Sequence, residues 1–384
     1  MESGAVPLRE VWITDACAIT AAGDSLEATW QKVISGTTAI GEIDRFPTQA
    51  YRSTVAATIR GLEAVGPGSL VSTILDRLLG QLNGAPTDAL VIAATTKAGI
   101  DNLEKMRRGL AFDPGDILPS SIGEKVAAKL GLRGGVMTIG AACASSTIAV
   151  AQGAAMISSG SVESVLICCA DAMTEFLFSG FSALQALSGV ACKPFDKDRS
   201  GLSPGEGGAF LLLMSSTRAR QKGHMPLCIV KGFGIADDAF HVTAPDPKGL
   251  GLLRAASNAI ALAGIEKGDI AGISAHGTGT IQNDLMELTA FHTLFDGDCP
   301  PLYSVKGCIG HTFGAAGGIE VALGTKTLLE QTIPPTVGFV NPERGAEGLV
   351  GSKPVSMAGD YLLTTNSGFG GINAAIILKR PGSY

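Results

Sequence analysis

The architecture of this chain is clearest in Val136-Met137-Thr138-Ile139-Gly140-Ala141-Ala142-Cys143-Ala144-Ser145-Ser146. The apolar run 136–140 is typical of a buried β-strand, and the small residues that continue to about Ile157 are compatible with a helix. A strand followed directly by a helix is the repeating unit of layered α/β proteins. The change falls at Cys143, so the sequence predicts a cysteine between the carboxyl end of a strand and the start of a helix.

Other strand-like runs along the chain also end at small or polar residues. Residues 164–169 predict the next strand after the helix. Three later runs lead into polar residues: 270–275 into His276, 302–305 into Lys306, and 361–365 into Asn366. Ligands of open α/β sheets collect just beyond the carboxyl ends of the strands. Four such strand ends here carry reactive or polar residues, which makes those residues candidates for function.

The composition is that of a tightly packed globular protein. Charged residues make up 17% of the 384 residues, against about 25% in an ordinary soluble protein, and hydrophobic residues reach 46%. This excludes a disordered chain. The net charge of −6 and the lack of a long Lys/Arg run argue against nucleic-acid binding. The length suits one large domain or two modest ones, and two similar halves could meet near residues 220–235, although internal sequence symmetry does not prove it.

No feature of the sequence predicts secretion or membrane insertion. Met1-Glu2-Ser3-Gly4 is not a basic segment followed by an apolar run, as a secretory signal would be. Residues 134–162 carry no charge but are mostly Gly, Ala, Ser and Thr, so we expect a close-packed interior segment and no membrane span. The eight cysteines show no CxxC spacing. They fit a reducing compartment, and the expected location is cytoplasmic.

Metal and nucleotide motifs are missing from the sequence. Cys308 lies three residues before His311, but no second Cys/His pair completes a zinc site and there is no HExxH motif. No P-loop or dinucleotide fingerprint occurs at a strand-to-helix turn. We therefore expect neither a metal nor another cofactor.

Cys143 is the candidate nucleophile. At a helix N-terminus, free backbone N–H groups and the helix dipole stabilise a thiolate, and they can lower a cysteine pKa from about 8.5 by a unit or more. The same N–H groups can stabilise the oxyanion formed from a thioester. From this segment alone, a buried cysteine in a tight turn remains the alternative. Cys168 and Cys169 lie within an apolar run and are expected in the core.

Two of the five histidines have unusual surroundings. His276 begins His276-Gly277-Thr278-Gly279-Thr280, and His311 lies in the glycine-rich segment 306–317. Flanking glycines allow unusual backbone angles and a close approach of substrate, although each histidine alone could equally be structural. His224 is expected on the surface, and we assign neither His241 nor His292 to the chemistry.

Together these segments resemble the β-ketoacyl-acyl carrier protein synthases of the I/II type, the thiolase-superfamily condensing enzymes of fatty acid and polyketide synthesis. The matching segments, in order, are Ile40–Phe46, Ala142–Ser146, Lys193–Gly201, Gly205–Ala209, Asp238–His241, His276–Thr280, Lys306–Gly317 and Asn366–Asn373. Each segment alone is weak evidence. Their order and spacing over essentially the whole chain are very specific.

The resemblance implies a thiolase-type α/β fold in which two similar halves form a five-layered α-β-α-β-α core. The halves would be residues 1–225, with the cysteine, and 226–384, with the two histidines. The resemblance also implies these roles: Cys143 is the acylated nucleophile, His276 and His311 complete the catalytic site, Lys306 is its lysine, Glu320 and Asp284 give structural support, Thr278 and Thr280 line the phosphopantetheine channel, and Phe369 and Gly370 form the oxyanion and gating loop.

The implied reaction is a decarboxylative Claisen condensation of an acyl group with malonyl-acyl carrier protein, which lengthens a fatty acid or polyketide chain by two carbons. The partners would be acyl carrier protein and a second copy of the chain or a ketosynthase-like subunit.

Loop 368–371 lacks the second cysteine of the thiolases, and His311 replaces the asparagine of type III synthases. The alternatives are a partner subunit that shapes chain length and a Cys-His hydrolase that cleaves thioesters.

Two departures from the family pattern bear on substrate handling. The last motif reads Asn366-Ser367-Gly368-Phe369 and has one phenylalanine fewer than many relatives, so the gating loop can be shorter or differently posed. Carrier proteins are acidic, yet the basic rim is thin. Its candidates are Arg77, Lys105, Arg107, Arg108 and Arg199, opposed by Asp113 and Asp116. We expect a weak or atypical carrier surface.

Overall fold

The computed structural model describes residues 8–382, so the segment Met1–Gly4 considered above lies outside the described residues. Its strands are β1 Val11–Thr20, β2 Gly41–Glu42, β3 Val55–Ala56, β4 Leu90–Ala94, β5 Val136–Ile139, β6 Ser164–Asp171, β7 Gly207–Ser215, β8 Cys228–Asp237, β9 Ile270–Ser274, β10 Leu302–Tyr303, β11 Thr332–Ile333, β12 Val355–Ser356, β13 Tyr361–Gly368 and β14 Ile372–Lys379. Its helices are α1 Leu26–Ile34, α2 Leu70–Leu79, α3 Asp101–Arg107, α4 Ser120–Leu130, α5 Ser145–Ser158, α6 Glu175–Ala183, α7 Ser216–Gln221, α8 Leu250–Ala263, α9 Ile281–Leu294, α10 Lys306–Ile309 and α11 Ala316–Glu330.

Ten strands are hydrogen-bonded in the order β10-β9-β13-β14-β8-β1-β7-β6-β4-β5. Each half contributes five strands to this sheet, numbered here by their order along the chain. Outward from the β1–β8 pair, both halves show the same order: first, fifth, fourth, second, third. In both halves the inner pairs are antiparallel and the outer pairs are parallel. The junction lies between α7 and β8, and the division of the chain at residue 225 stays a prediction.

Alternating side chains along the strands build three apolar layers. On β4, Ile92 faces a central cluster, and Val91 faces an outer cluster formed with α2 and α4. On β14, Ile376 faces the same central cluster, and Ile377 faces an outer cluster formed with α8 and α9. Because α5 and α11 supply most of the helical side chains of the central cluster, with further ones from α1 and α10, the order of layers is helix, sheet, helix, sheet, helix.

Helices α5 and α11 approach each other closely because small residues face the contact. A β-carbon at Gly317 would lie 1.9 Å from the Thr147 hydroxyl oxygen and 2.7 Å from the Thr147 backbone nitrogen. A β-carbon at Gly318 would lie 2.4 Å from the Cys169 sulfur. Gly317 therefore allows the close approach of α5 to α11, and Gly318 allows the close approach of β6 to α11.

The uncharged stretch 134–162 forms β5 and α5. Helix α5 has 14 residues and is largely buried, as expected of an interior segment. The expectation was wrong for β5, which is an exposed strand at the edge of the sheet. Within residues 8–382, no helix is long and apolar enough to cross a membrane. The sequence predicted that Asn366 lies just beyond the end of a strand. In the structure β13 continues to Gly368 through its pairing with β14, so Asn366 lies inside the strand.

The close contact of α5 and α11 predicts a large effect of Gly317→Ala. The added methyl group must push Thr147 and its helix aside, and overpacking of this kind costs about 1–3 kcal/mol. We expect thermal unfolding to show a Tm several degrees below wild type. Gly268→Ala is the control, because no atom lies within 4 Å of a β-carbon placed there. Equal Tm values for the two variants would contradict the packing described.

Candidate active site

A cavity of about 440 Å³ opens where the strand ends of the two halves meet. Its walls carry the cysteine and both glycine-flanked histidines, together with the threonines that follow His276 and the loop after Asn366. The predicted site residues among those walls are Cys143, His276, Thr278, Thr280, His311, Phe369 and Gly370. The structure therefore brings together residues that lie more than 200 positions apart in the chain.

Cys143 sits in a sharp turn between β5 and α5. Ala142 has a φ of 48°, in the left-handed region that L-residues rarely adopt. The Ser145 hydroxyl stabilises this turn: it accepts a hydrogen bond from the Ala141 N–H at 2.8 Å and donates one to the Ala142 carbonyl at 2.6 Å. The predicted position of the cysteine, just before the helix, is confirmed.

The expectation of a lowered Cys143 pKa is wrong. Burial raises the pKa of this thiol to about 12. The positive charge of Lys306 and a hydrogen bond from the Phe369 N–H oppose the effect of burial without reversing it. Water would stabilise a thiolate. Burial removes water from the sulfur, and this effect on the pKa is larger than the effect of the nearby positive charge and hydrogen bond. In the resting protein Cys143 is therefore a thiol.

His276 and His311 lie edge to face, with 5.2 Å between ring centroids. Burial lowers the pKa of both imidazoles well below the ordinary value, and the Lys306 charge lowers them further. Both rings are consequently neutral at physiological pH, and each can offer one N–H as a hydrogen-bond donor.

A buried network behind His276 determines which ring nitrogen carries the proton. The Lys306 ammonium lies 3.3 Å from His276 Nδ1, and the Asn366 side-chain nitrogen lies 3.0 Å from the same atom. Both partners are donors, so Nδ1 must accept and the proton of the neutral ring sits on Nε2. Glu320 completes the network, since it binds Lys306 at 2.5 Å and Asn366 at 2.7 Å.

Two further residues belong to the site: Asn366, which the sequence marked only as the polar residue after an apolar run, and Thr147, which it did not mark. The Thr147 hydroxyl, on α5, donates to Asn366 Oδ1, which leaves the amide nitrogen facing His276 and Glu320. This bond joins the helix that follows Cys143 to the strand that carries Asn366. The available signal for Asn366 was its place directly after an apolar run, whereas no local pattern marked Thr147.

Two buried acidic side chains hold the loop that follows His276. Asp284 accepts hydrogen bonds from the N–H groups of Thr278 and Gly279. Glu287, which the sequence analysis missed, accepts from the N–H groups of His276 and Gly277 at 2.7 and 2.6 Å. Burial raises the Glu287 pKa to about 8. The hydroxyls of Thr278 and Thr280 lie 2.9 Å apart on the cavity wall.

The loop after Asn366 places an aromatic ring and a backbone donor beside the sulfur. The Phe369 N–H is directed at Cys143, whereas the Gly370 N–H binds the Val242 carbonyl at 2.8 Å. The ring centroids of Phe369 and Phe181 lie 5.9 Å apart, and those of Phe181 and Phe313 lie 5.3 Å apart. Phe369 is thus the residue of this loop whose backbone faces the sulfur.

The predicted basic rim is thinner still in the structure. Arg199 is wrong as a rim residue, because its side chain is buried and paired with Asp284 at 3.6 Å and Glu343 at 2.6 Å. Asp116 is buried beside Lys125 and does not oppose anything at the surface. Arg108 is exposed but pairs with Glu175 at 2.9 Å.

Within the described part of the chain, no group of three or more His, Cys, Asp or Glu side chains is placed to hold a metal ion.

His241 is exposed, and His292 contacts the Gly345 carbonyl at 2.8 Å. Cys168 and Cys169 are fully buried in β6, as expected.

Comparison with known proteins yields two matching family models. Beta-ketoacyl synthase, N-terminal domain, matches residues 84–219, and Beta-ketoacyl synthase, C-terminal domain, matches residues 227–340. The 3-oxoacyl-acyl-carrier-protein synthase 2 of Mycobacterium tuberculosis (strain ATCC 25618 / H37Rv) is 33% identical over 342 residues, which cover 83% of this chain and 82% of that protein. The protein of the same name from Staphylococcus aureus (strain COL) is 27% identical and covers 97% of this chain and 98% of its own length.

Solved structures share the fold over almost the full length. The ishigamide ketosynthase/chain length factor has a TM-score of 0.87 at 28% identity, covering 98% of this chain and 100% of that chain. A beta-ketoacyl synthase from Burkholderia phymatum STM815 also has a TM-score of 0.87, at 23% identity with 98% and 100% coverage. The predicted thiolase-type fold is confirmed. Because the sequence matches run through both halves that build the cavity, the chain belongs to the β-ketoacyl synthase family.

Proposed function

We propose that the protein is a β-ketoacyl-acyl carrier protein synthase, an acyltransferase that lengthens an acyl chain by decarboxylative condensation with a malonyl thioester. The observation that carries the proposal is the meeting of one thiol and two neutral imidazoles in a single buried cavity. The names of the curated relatives, 3-oxoacyl-acyl-carrier-protein synthase 2, support the same substrate class.

In the first step the Cys143 sulfur attacks the carbonyl of an acyl thioester on the carrier protein. The carbon–sulfur bond to the carrier breaks, and the proton of the Cys143 thiol ends on the departing carrier sulfur. The Phe369 N–H beside Cys143 is the backbone donor available to the transient oxyanion. Covalent capture divides one difficult condensation into two easier steps.

In the second step a malonyl thioester loses carbon dioxide, and negative charge develops on its thioester oxygen. The Nε2–H of His276 and one N–H of His311 stabilise this enolate, because neutral imidazoles donate hydrogen bonds where the charge forms. The enolate carbon then attacks the acyl carbonyl on Cys143. The bond between the acyl carbon and the Cys143 sulfur breaks, and the sulfur takes up a proton to regenerate the thiol.

The remaining site residues position these groups. Lys306, Glu320 and Asn366 keep His276 in its Nε2–H form, and Asp284 orders the loop of Thr278 and Thr280. These two hydroxyls line the cavity where a phosphopantetheine arm would pass. No cofactor enters this reaction.

The proposal extends to assembly and location. The working unit is a dimer with a second copy or with a ketosynthase-like subunit, and the solved ketosynthase/chain length factor at 28% identity supports the second arrangement. The eight cysteines, none of which forms a disulfide, fit a cytoplasmic location.

Intact mass after incubation with acyl-carrier thioesters of graded length tests the nucleophile. We expect the mass of one acyl group on wild type and none on Cys143→Ala, followed by carbon dioxide release from malonyl-carrier protein. Loss of the acyl group to water without carbon dioxide release would indicate a hydrolase. No acylation by any primer, on folded protein and with a candidate partner subunit added, would refute the proposed function.

The raised pKa of Cys143 predicts slow alkylation that accelerates with pH. Only the thiolate reacts, and below a pKa of about 12 its fraction grows about tenfold per pH unit. The rate of iodoacetamide capture of Cys143 should therefore keep rising from pH 7 to pH 10. Cys143→Ala corrects for capture at other cysteines. A rate that levels off below pH 9 would show a thiolate-forming site instead.

Because Asn366 helps to keep the His276 proton on Nε2, we expect Asn366→Asp to impair condensation more than acylation. The new carboxylate accepts a hydrogen bond at His276 Nδ1, where the amide donated one. It therefore favours the tautomer with the proton on Nδ1, and its negative charge raises the His276 pKa. We expect decarboxylation to fall about 10²-fold, with its acid limb at higher pH, while Cys143 acylation persists. Thr147→Ser, which keeps the hydroxyl, should behave as wild type. An equal loss of both steps with an unchanged pH profile would refute this role.

A further inference from the structure

The two histidines of the cavity are held in different ways. A lysine and an asparagine contact His276 Nδ1, whereas His311 Nδ1 is buried and has no hydrogen-bond partner among the described residues. The His311 ring instead packs beside the ring of Phe313, with 5.8 Å between the ring centroids. The direction of the His311 imidazole therefore depends on the backbone of the segment that begins at His311, and on what anchors that segment.

Asp171, the last residue of β6, anchors this segment to the other half of the chain. Its Oδ2 accepts a hydrogen bond from the Gly314 N–H at 2.8 Å. Its Oδ1 accepts one from the Thr95 hydroxyl at 2.7 Å and one from the Thr96 hydroxyl at 3.0 Å, both just beyond β4. The fit is close, because a β-carbon at Gly314 would lie 2.8 Å from Asp171 Oδ2 and 2.9 Å from the Thr95 carbonyl carbon. Asp171 thus joins the end of β4 to the segment that carries His311.

The Asp171 carboxyl group is fully buried, and hydrogen-bond donors alone compensate it, without a salt bridge to any described residue. Burial raises its pKa to about 6, and the hydrogen bonds oppose this effect without reversing it. The thiols of Cys143 and Cys169, which the charge of Asp171 affects, have pKa values of about 12, and the pKa of His311 is well below its ordinary value. Lys97 contributes only a backbone N–H at 3.4 Å, and its side chain is exposed. Among these groups, Asp171 is the one that changes charge near pH 6.

We propose that Asp171 is a positioning residue of the condensation step: as a carboxylate it holds Gly314 at the end of β4 and thereby directs the His311 imidazole at the enolate oxygen. The inference rests on the proposed function, in which His311 donates a hydrogen bond to that oxygen. Asp171 itself does not line the cavity, so it acts through the segment and not on the substrate. A carboxylate suits this role because both of its oxygens accept hydrogen bonds, whereas an amide accepts with one oxygen only.

The test uses Asp171→Asn, which keeps the shape of the side chain but removes its charge and one acceptor oxygen. Two rates are measured from pH 5 to pH 7.5: acylation of Cys143 by an acyl-carrier thioester, and carbon dioxide release from malonyl-carrier protein. Asp15→Asn is the matched control. Asp15 is also a buried acid of the large sheet and accepts a backbone N–H, that of Asn83 at 2.9 Å, but it does not line the cavity.

At pH 7.5 we expect Asp171→Asn to lower carbon dioxide release about tenfold and to leave Cys143 acylation within about twofold of wild type, with Asp15→Asn as wild type in both. As the pH falls through about 6, Asp171 of the wild type takes up a proton and loses the same acceptor, so the gap between wild type and variant should close. An unchanged rate, an equal loss of both steps, or a gap that stays constant with pH would overturn the proposal. Wild type that releases no carbon dioxide at any pH would instead refute the proposed function.

Gly314→Ala tests the same contact from the other side and serves if Asp171→Asn does not fold. Its methyl group must displace Asp171 or the end of β4, so we expect the same selective loss of carbon dioxide release at pH 7.5. Gly268→Ala is the control, because no atom lies within 4 Å of a β-carbon placed there. Wild-type values of both rates in Gly314→Ala would contradict the anchoring role of Asp171.

Discussion

The close approach of α5 to α11 is the constraint on which the rest of this site depends. Helix α5 begins just after Cys143, and α11 begins five residues after His311. Gly317 and Gly318 leave the space that Thr147 and Cys169 occupy, since a β-carbon at either position would overlap them. The sulfur and the imidazoles come from different halves of the chain. The packing of these two helices therefore sets their separation before any substrate arrives.

Burial then decides the electrostatics of the cavity. The same packing removes water from the sulfur and from both imidazoles, which raises the pKa of Cys143 and lowers those of His276 and His311. The two fixed charges, Lys306 and Glu320, are buried as a pair and compensate each other. What the cavity offers a substrate is thus a thiol and neutral N–H donors. Buried donors act more strongly than exposed ones, because solvent screens them less.

Local sequence patterns and tertiary packing determine different features of this site. Cys143, His276 and Lys306 could be located because strand ends and glycine-flanked turns are local patterns. The expected low pKa of Cys143 was wrong because a local pattern reports the helix N-terminus but not the exclusion of water. Arg199 was wrong for the same reason, since a charged residue type suggests a surface and only packing shows a buried ion pair.

By itself the sequence determined the α/β class, the family and the reactive residue types, since these follow from periodicity and from motifs within short segments. The tertiary structure alone decided that Thr147 and Asn366, 219 positions apart, meet and set the proton of His276. It alone decided that Asp171 and Gly314, 143 positions apart, meet beside the segment that carries His311. The reason is that hydrogen-bond partners and solvent exposure depend on which distant segments pack together, and no single segment carries that information.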